Sequence, residues 1–507
     1  MNSPLSSAGI LAMSLLILLS GCASFNTDTS PPPVIAQMPD QFARSDTGGV
    51  YRPVQWWAGF DDPTLNKLMD SALEGNFSLK EGAARLRAAE ARSRVSKSGL
   101  FPQINAGASA NYSNSPLRGS AFGNIIPGGG NGGGGLTRIE NETYNPSLGF
   151  SYELDIWGRI RNDARAASAD AFAAAADLQA TRLAILAETY TAYFDIVDTR
   201  YQIALATRII DVLDDRLKRT EDRYNRGLAS SFELYQLRQE FRTVQAGLPQ
   251  RESRLAALEG QLAVLTGRYS NNLQSLVAGE LKPKLIFDPV PSGLPIDLLA
   301  QRPDVYAAGL RLEAARFRVK ARKAERFPAL SLTANVGTQA DNVPGIFDVF
   351  DNWVLNLGAN LTAPIFQGGR IRANIELADA QYAEQAAAYA RTVLTAYQEV
   401  GAAMEQYEEE RQRYSFLFSQ LQESEAAANL QSQRFARGVG SYTDFLDALR
   451  TRFQVQASLS GAGRDVAMAR LAVHRALGGS WNMPVVSAGD VNTADTGATS
   501  IDEPQEP

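Results

Sequence analysis

The chain has 507 residues, with 49 Lys+Arg against 55 Asp+Glu, a net charge of −6, one Cys and one His. A disulfide framework or a thiolate cluster is excluded for want of ligands, and mild acidity without a basic block speaks against nucleic-acid binding. Length alone suggests two to four domains. Any His-dependent catalytic site would have to be built around His474, which lies in an apolar stretch near the end of a predicted helix. It reads as a packing or surface residue, and no enzyme is expected.

Residues 1–21 read as a leader. Ile10 to Leu19 is an apolar run too short to span a bilayer, and it leads into Leu19-Ser20-Gly21-Cys22. This resembles a bacterial lipoprotein signal, which implies that Cys22 carries a diacylglycerol and an N-acyl chain. Met1–Gly9 departs from that pattern in lacking Lys and Arg. Ala23 in place of Asp after the cysteine implies sorting to the outer membrane. Beyond the leader, no window of 18 residues is both uncharged and predominantly apolar. A membrane crossing would therefore require a closed β-barrel.

The remainder is internally repetitive. Gly158-Arg159-Ile160-Arg161 aligns with Gly369-Arg370-Ile371-Arg372 at a spacing of 211 residues, and Tyr224-Asn225-Arg226-Gly227 aligns with Phe435-Ala436-Arg437-Gly438. Phe101-Pro102 matches Phe327-Pro328 at the longer spacing of 226. The surplus falls in Gly119–Gly135, a Gly-rich insertion at a loop tip. It is no phosphate loop, since no GK[ST] follows. Repeat 1 covers 64–267 and repeat 2 covers 303–478.

Each repeat opens with a helix (64–99 and 303–326) that ends at Phe-Pro, as the pre-proline restriction expects. Two alternating segments follow, about 102–113 and 144–155, then about 328–338 and 353–364. Ile104, Ala106, Ala108, Ala110 and Tyr112 share one face, as do Leu148, Phe150, Tyr152 and Leu154. Runs of this kind suit transmembrane strands, apolar to lipid and polar to a lumen; a half-exposed soluble hairpin has the same pattern. A long helix comes next (158–226 and 369–437), roughly 100 Å at 1.5 Å per residue, and it needs packing partners throughout. An Arg-Gly break returns the chain as a second helix, 231–266 or 442–477. In repeat 1 the two shorter helices together match the long one, as though stacked end to end; in repeat 2 they fall short.

Four strands cannot close a barrel, because even about eight leave an interior just filled by side chains. Here the sequence resembles the outer-membrane factor family, the TolC/OprM-type channels, in its lipoprotein branch. The motifs are Trp56-Trp57…Phe60-Asp61-Asp62-Pro63-x-Leu65, Gly293-Leu294-Pro295-x-x-Leu298-Leu299-x-x-Arg302-Pro303-Asp304, the paired Arg-Gly turns and Phe445-Leu446-Asp447-Ala448. The resemblance implies an α+β membrane protein: a homotrimer whose 12-stranded barrel continues as a periplasmic α-helical barrel. A mixed belt would be formed by 22–63, 268–302 and the C-terminal flank, with an acidic, disordered tail within 479–507. It further implies a passive exit duct anchored in outer-membrane lipid, served by a periplasmic adaptor and an inner-membrane pump, without a cofactor or resident metal.

The same resemblance assigns Asp444 and Asp447 to the tunnel's closed end, with Glu233 as the first-repeat counterpart of Asp444. By spacing alone the pair, three apart on one helix face, reads as a solvated or capping pair after a turn; it is the resemblance that places it in the tunnel. In TolC-type channels a Tyr and an Arg hold the acid equivalent to Glu233; here those positions are Phe435 and Gly440. Closure is therefore expected to rest on apolar packing of Phe435, Val439 and Phe445, with Arg437–Glu233 as a further tie. Arg226, Gly227, Leu228, Ala229 and Ser230, with Arg437, Gly438, Val439, Gly440 and Ser441, resemble the tip that meets an adaptor; as glycines in turns, they also read as helix caps. A pore-less coiled-coil scaffold would leave the alternating strands unexplained, and a protein-secretion duct of the same family has the same architecture.

Overall fold

The computed structural model describes residues 39, 56–116, 138–269, 285–290 and 301–479. Cys22 and the leader, the Gly-rich insertion, most of 268–302 and the acidic tail lie outside the described residues. The helices are α1 (Pro63–Gly75), α2 (Phe77–Ser98), α3 (Arg159–Asn225), α4 (Ser231–Leu265), α5 (Pro303–Ala324), α6 (Arg370–Ala436) and α7 (Tyr442–Ala476). The strands are β1 (Gln103–Pro116), β2 (Arg138–Leu154), β3 (Ala329–Thr338) and β4 (Trp353–Thr362). Contacts group these into two units.

One unit spans Ala91–Ser168 and Glu313–Ala383 and holds all the strands. They form one antiparallel sheet in the order β1-β2-β3-β4. Register places Ile104 opposite Phe150, Phe150 opposite Ala334, and Ala334 opposite Leu357. The next row on the other face is Asn105, Gly149, Asn335 and Asn356. Because side chains alternate with period two, this pairing collects the apolar residues on one face and the polar ones on the other. Leu148, Leu355, Leu357 and Leu361 are exposed there. β2 begins earlier than the alternation suggested, since Arg138–Asn145 pairs with the distal half of β1. Below the strands, Trp157 stacks on Phe327 at 4.6 Å and donates from Nε1 to the Pro328 carbonyl at 2.8 Å.

The second unit holds α1, α4 and α7, and the greater part of α3 and α6. The helix expected over 64–99 is broken. Asn76 ends α1, its Oδ1 accepts from the N–H groups of Ser78 and Leu79, and its Nδ2 donates to the Leu265 carbonyl at 2.9 Å. With that break, α2 and α5 both have 22 residues, α4 and α7 both 35, and α3 and α6 both 67. With α1 set apart, the two shorter helices fall short of the long one by the same length in both repeats, so the end-to-end match expected in repeat 1 is owed to α1. Gly75 and Gly267 meet backbone to backbone, where a Cβ on Gly267 would lie 2.3 Å from the Gly75 carbonyl oxygen. Gly478 meets the Gln301 carbonyl in the same way.

The core around the first junction contains Trp56, Phe60, Leu65, Leu68, Tyr190, Tyr193 and Phe194. Asp62 caps α1, accepting from Thr64 and Leu65 N–H, and also accepts the Tyr193 hydroxyl. His474 is buried and stacks on Trp56 with an interplanar angle of 17°, which makes it a packing residue. At the second junction Arg302 is buried. It donates to Asp304 Oδ2 at 2.7 Å and to the Ala476 carbonyl at 3.0 Å, and it pairs with Glu399 at 2.8 Å. Burial works against its charge, but the bonds and charges of Asp304 and Glu399 outweigh it and hold the guanidinium above its ordinary pKa.

Candidate functional site

The two Arg-Gly turns have one backbone. Gly227 and Gly438 sit at φ 72° and 74°, a left-handed conformation that glycine adopts without a Cβ penalty. Leu228 N–H donates to the Arg223 carbonyl at 2.8 Å and Val439 N–H to the Arg434 carbonyl at 3.0 Å, closing the same Schellman cap. Ser230 Oγ then accepts from Glu233 N–H, and Ser441 Oγ from Asp444 N–H, so each return helix starts on a serine cap. The two acids thus occupy equivalent first-turn positions, favourable to negative charge.

Their surroundings differ. After the second turn, Tyr442, Phe445, Leu446 and Leu449 are buried with Leu213 and Leu237. Phe435 stacks on Phe445 at 5.8 Å and meets Tyr442 edge-on at 5.6 Å. Burial pushes the Tyr442 hydroxyl up to about 12. Arg216 lies over the Phe445 ring at 4.8 Å and Arg223 over Phe435 at 5.9 Å. The expected apolar packing of Phe435 with Phe445 is present, but Val439 is exposed and takes no part in this cluster. No ion pair joins Arg437 to Glu233 among the described residues. Arg450 instead bridges α7 to α4, reaching Glu240 Oε2 at 2.5 Å and Asp447 Oδ1 at 3.3 Å. Asp444 and Asp447 are exposed on α7.

At the first turn Arg226 pairs with Asp222 at 2.8 Å. Leu228, Phe232 and Tyr235 stand 65%, 68% and 64% exposed. Phe232 and Tyr235 belong to no sequence motif, and aromatic residues on a helix ordinarily read as core. Their signal is phase: Leu234 and Leu237 occupy the buried face, and Phe232 and Tyr235 fall off it. Among the described residues no helix is long and apolar enough to cross a membrane, and no group of three or more His, Cys, Asp or Glu could hold a metal.

A sheet apolar on one face, followed by paired 67-residue helices with matched tips, has counterparts among known proteins. The family model for outer membrane efflux proteins matches residues 68–268 and 294–479. The chain belongs to this family. It is an outer-membrane channel protein of an efflux system, and its fold is the family's α+β arrangement of helical barrel and β domain. It is 30% identical over 495 residues to the probable efflux pump outer membrane protein SepC of Pseudomonas putida, covering 93% of this chain and 97% of SepC. Outer membrane protein OprJ of Pseudomonas aeruginosa is 29% identical, with 94% and 96% covered. The open-state MtrE channel of Neisseria gonorrhoeae superposes with a TM-score of 0.75 at 26% identity, covering 90% of this chain and 98% of that one.

Proposed function

We propose that three copies of the chain close one barrel and act as the passive exit duct of a tripartite efflux assembly. The observation that carries this is the sheet, in which four strands with one apolar face leave β1 and β4 as open edges. Unpaired strand edges cannot sit in lipid, and three copies supply twelve strands, enough to close around a lumen. The matched helix lengths support the tandem repeat, so that each protomer adds two equivalent helix pairs to the periplasmic cylinder. Transport energy comes from an inner-membrane pump, and a periplasmic adaptor links pump and duct.

In this reading Asp444 and Asp447 form stacked acidic rings that select cations where the tunnel narrows, and Arg450 partly neutralises the second ring. Aromatic packing of Phe435, Tyr442 and Phe445 holds that end closed, with Glu233 beside it. The exposed Leu228, Phe232 and Val439, with the rest of Arg226–Ser230 and Arg437–Ser441, receive the adaptor. Cys22 carries the lipid that fixes each protomer to the outer membrane. Planar-bilayer recording of the purified protein, with native mass spectrometry of the same sample, tests the core of this. Discrete conductances and a mass of three chains are expected; monomers without conductance overturn it.

A further inference from the structure

The sheet is electrically polarised. At its distal end stand Glu140, Glu142, Asp341, Asp348 and Asp351, with Arg138 the one cation among the described residues there. At the helix end the balance reverses. Several cations are already matched: Arg159 pairs with Glu153 at 2.7 Å, Arg322 with Asp163 at 2.9 Å and Lys323 with Asp379 at 3.7 Å. Asp155 is held by the N–H groups of Ile160 and Arg161 at the start of α3. Arg94, Lys97, Arg326 and Arg370 remain without a carboxylate partner among the described residues. They flank the helix-side ends of β1, β3 and β4, and Arg94, Arg326 and Arg370 are exposed.

Apolar side chains accompany these cations. Ile365 is 92% and Phe366 88% exposed in the link from β4 to α6. A cleft of about 600 Å³ opens there, lined by Arg159 and Arg370 together with Ile156, Pro364, Ile365 and Phe366. That volume lies within the range of small-ligand sites. The acids on its wall are occupied: Glu153 by Arg159, Asp155 by helix N–H groups, and Glu325 by Arg322. With Arg159 matched by Glu153, the cleft offers the unmatched Arg370 beside apolar surface, at the level where a membrane-embedded sheet leaves its bilayer.

We propose that Arg370 in this cleft, together with the unmatched Arg94, Lys97 and Arg326 elsewhere along the same end of the sheet, binds the headgroups of anionic phospholipids, with Ile365 and Phe366 against the upper acyl chain. The inference rests on the membrane placement of the sheet given under Proposed function. Interfacial cations attract anionic headgroups by about fivefold in affinity for each that reaches them, and aromatic side chains favour the same depth.

The test uses the full-length trimer equilibrated with equal phosphatidylglycerol and phosphatidylethanolamine, with bound lipid counted by native mass spectrometry. A preference for phosphatidylglycerol of about tenfold is expected, weakened in 0.5 M salt. The combined R94Q, K97Q, R326Q and R370Q variant should bind both lipids equally, whereas R94K, R326K and R370K together should keep the preference. Equal binding by the unsubstituted trimer, or an undiminished preference in the glutamine variant, overturns the proposal. Conductance of the same preparations separates the two failures. Normal channels without lipid preference sink this inference alone; protein that neither conducts nor prefers phosphatidylglycerol sinks the duct reading with it.

Discussion

The helix pairs α3–α4 and α6–α7 have the same backbone and opposite surfaces. Both run 67 residues, turn through a left-handed glycine, and return for 35 residues from a serine cap. Yet the second pair buries Tyr442, Phe445 and Leu446 just past its turn, while the first exposes Phe232 and Tyr235. The aligned positions explain it: buried Tyr442 and Leu446 face Ser231 and Tyr235, and exposed Asp447 faces Gln236. Turn signals and helix length are thus separable from the chemistry a turn presents. The aromatic residues past the second turn are covered by α3 and α4, whereas those past the first turn face outward.

The sharpest way to break that division is to load both turns equally. A Cβ would meet nothing within 4 Å at Gly227 or Gly438, so leucine at either position carries the same left-handed penalty of about 1–2 kcal/mol. Gly438→Leu should abolish dye extrusion while trimers persist on native gels, and Gly227→Leu should leave extrusion partly intact. If the two variants lose extrusion to the same degree, the tips are functionally equivalent. The next largest effect is expected in single channels. Asp444→Ala with Asp447→Ala should reduce cation over anion permeability several-fold, whereas Glu233→Ala changes it less, having Gln236 rather than a second acid one turn on. Unchanged reversal potentials in the double variant would remove these aspartates from the pore.

Much of this was legible because backbone signals are local. Alternation from Ile104 to Tyr112 gave the apolar face, and the proline-free run ending at Arg226-Gly227 gave the long helix and its cap. The break at Asn76 is masked in the sequence because Leu65, Leu68, Ala72, Leu79 and Leu86 keep a helical phase across it; Asn76 caps α2 through Ser78 and Leu79 N–H, and its contact with Leu265, far away in sequence, fixes it there. The same holds for Arg302, whose motif was visible but whose partners Glu399 and Ala476 are brought together only by folding. At the tips, the Asp pair could be read, but whether an aromatic residue points in or out depends on the neighbouring helix. Phe445 meets Arg216 and Phe435; no such cover is present over Phe232 among the described residues.

That contrast in cover gives a third test. Phe445→Ala removes a buried ring and should cost about 3–4 kcal/mol locally, seen as faster amide exchange over residues 442–449 and a higher open probability. Phe232→Ala removes a ring that is 68% exposed and should leave exchange unchanged, while weakening capture of the adaptor. If both substitutions loosen their helices alike, the difference in packing between the tips is not real.

The smallest effect lies at the other end of the same helices, where His474 occupies the position that Ala263 holds in the first pair. Burial, with Arg470 nearby, pushes the imidazole down to about 3, although its place in the last turn of α7 would favour the cation. The sign follows from proton binding. Between about 3 and 6.5 the unfolded chain holds a proton that the folded chain excludes, so stability contributed by neutral His474 is complete above 6.5 and falls as the pH drops. At pH 5 the loss is about 2 kcal/mol. Melting temperatures of the detergent-solubilised protein should therefore decline from pH 7 to pH 5 by a few degrees more than those of His474→Phe, which keeps a ring on Trp56 without a titrating group. The corresponding change at Ala263 should not alter that slope, because no ionisable group is replaced there. Identical slopes for the parent and His474→Phe would mean that the imidazole takes its proton in the folded state, and that Trp56 packs against a cation.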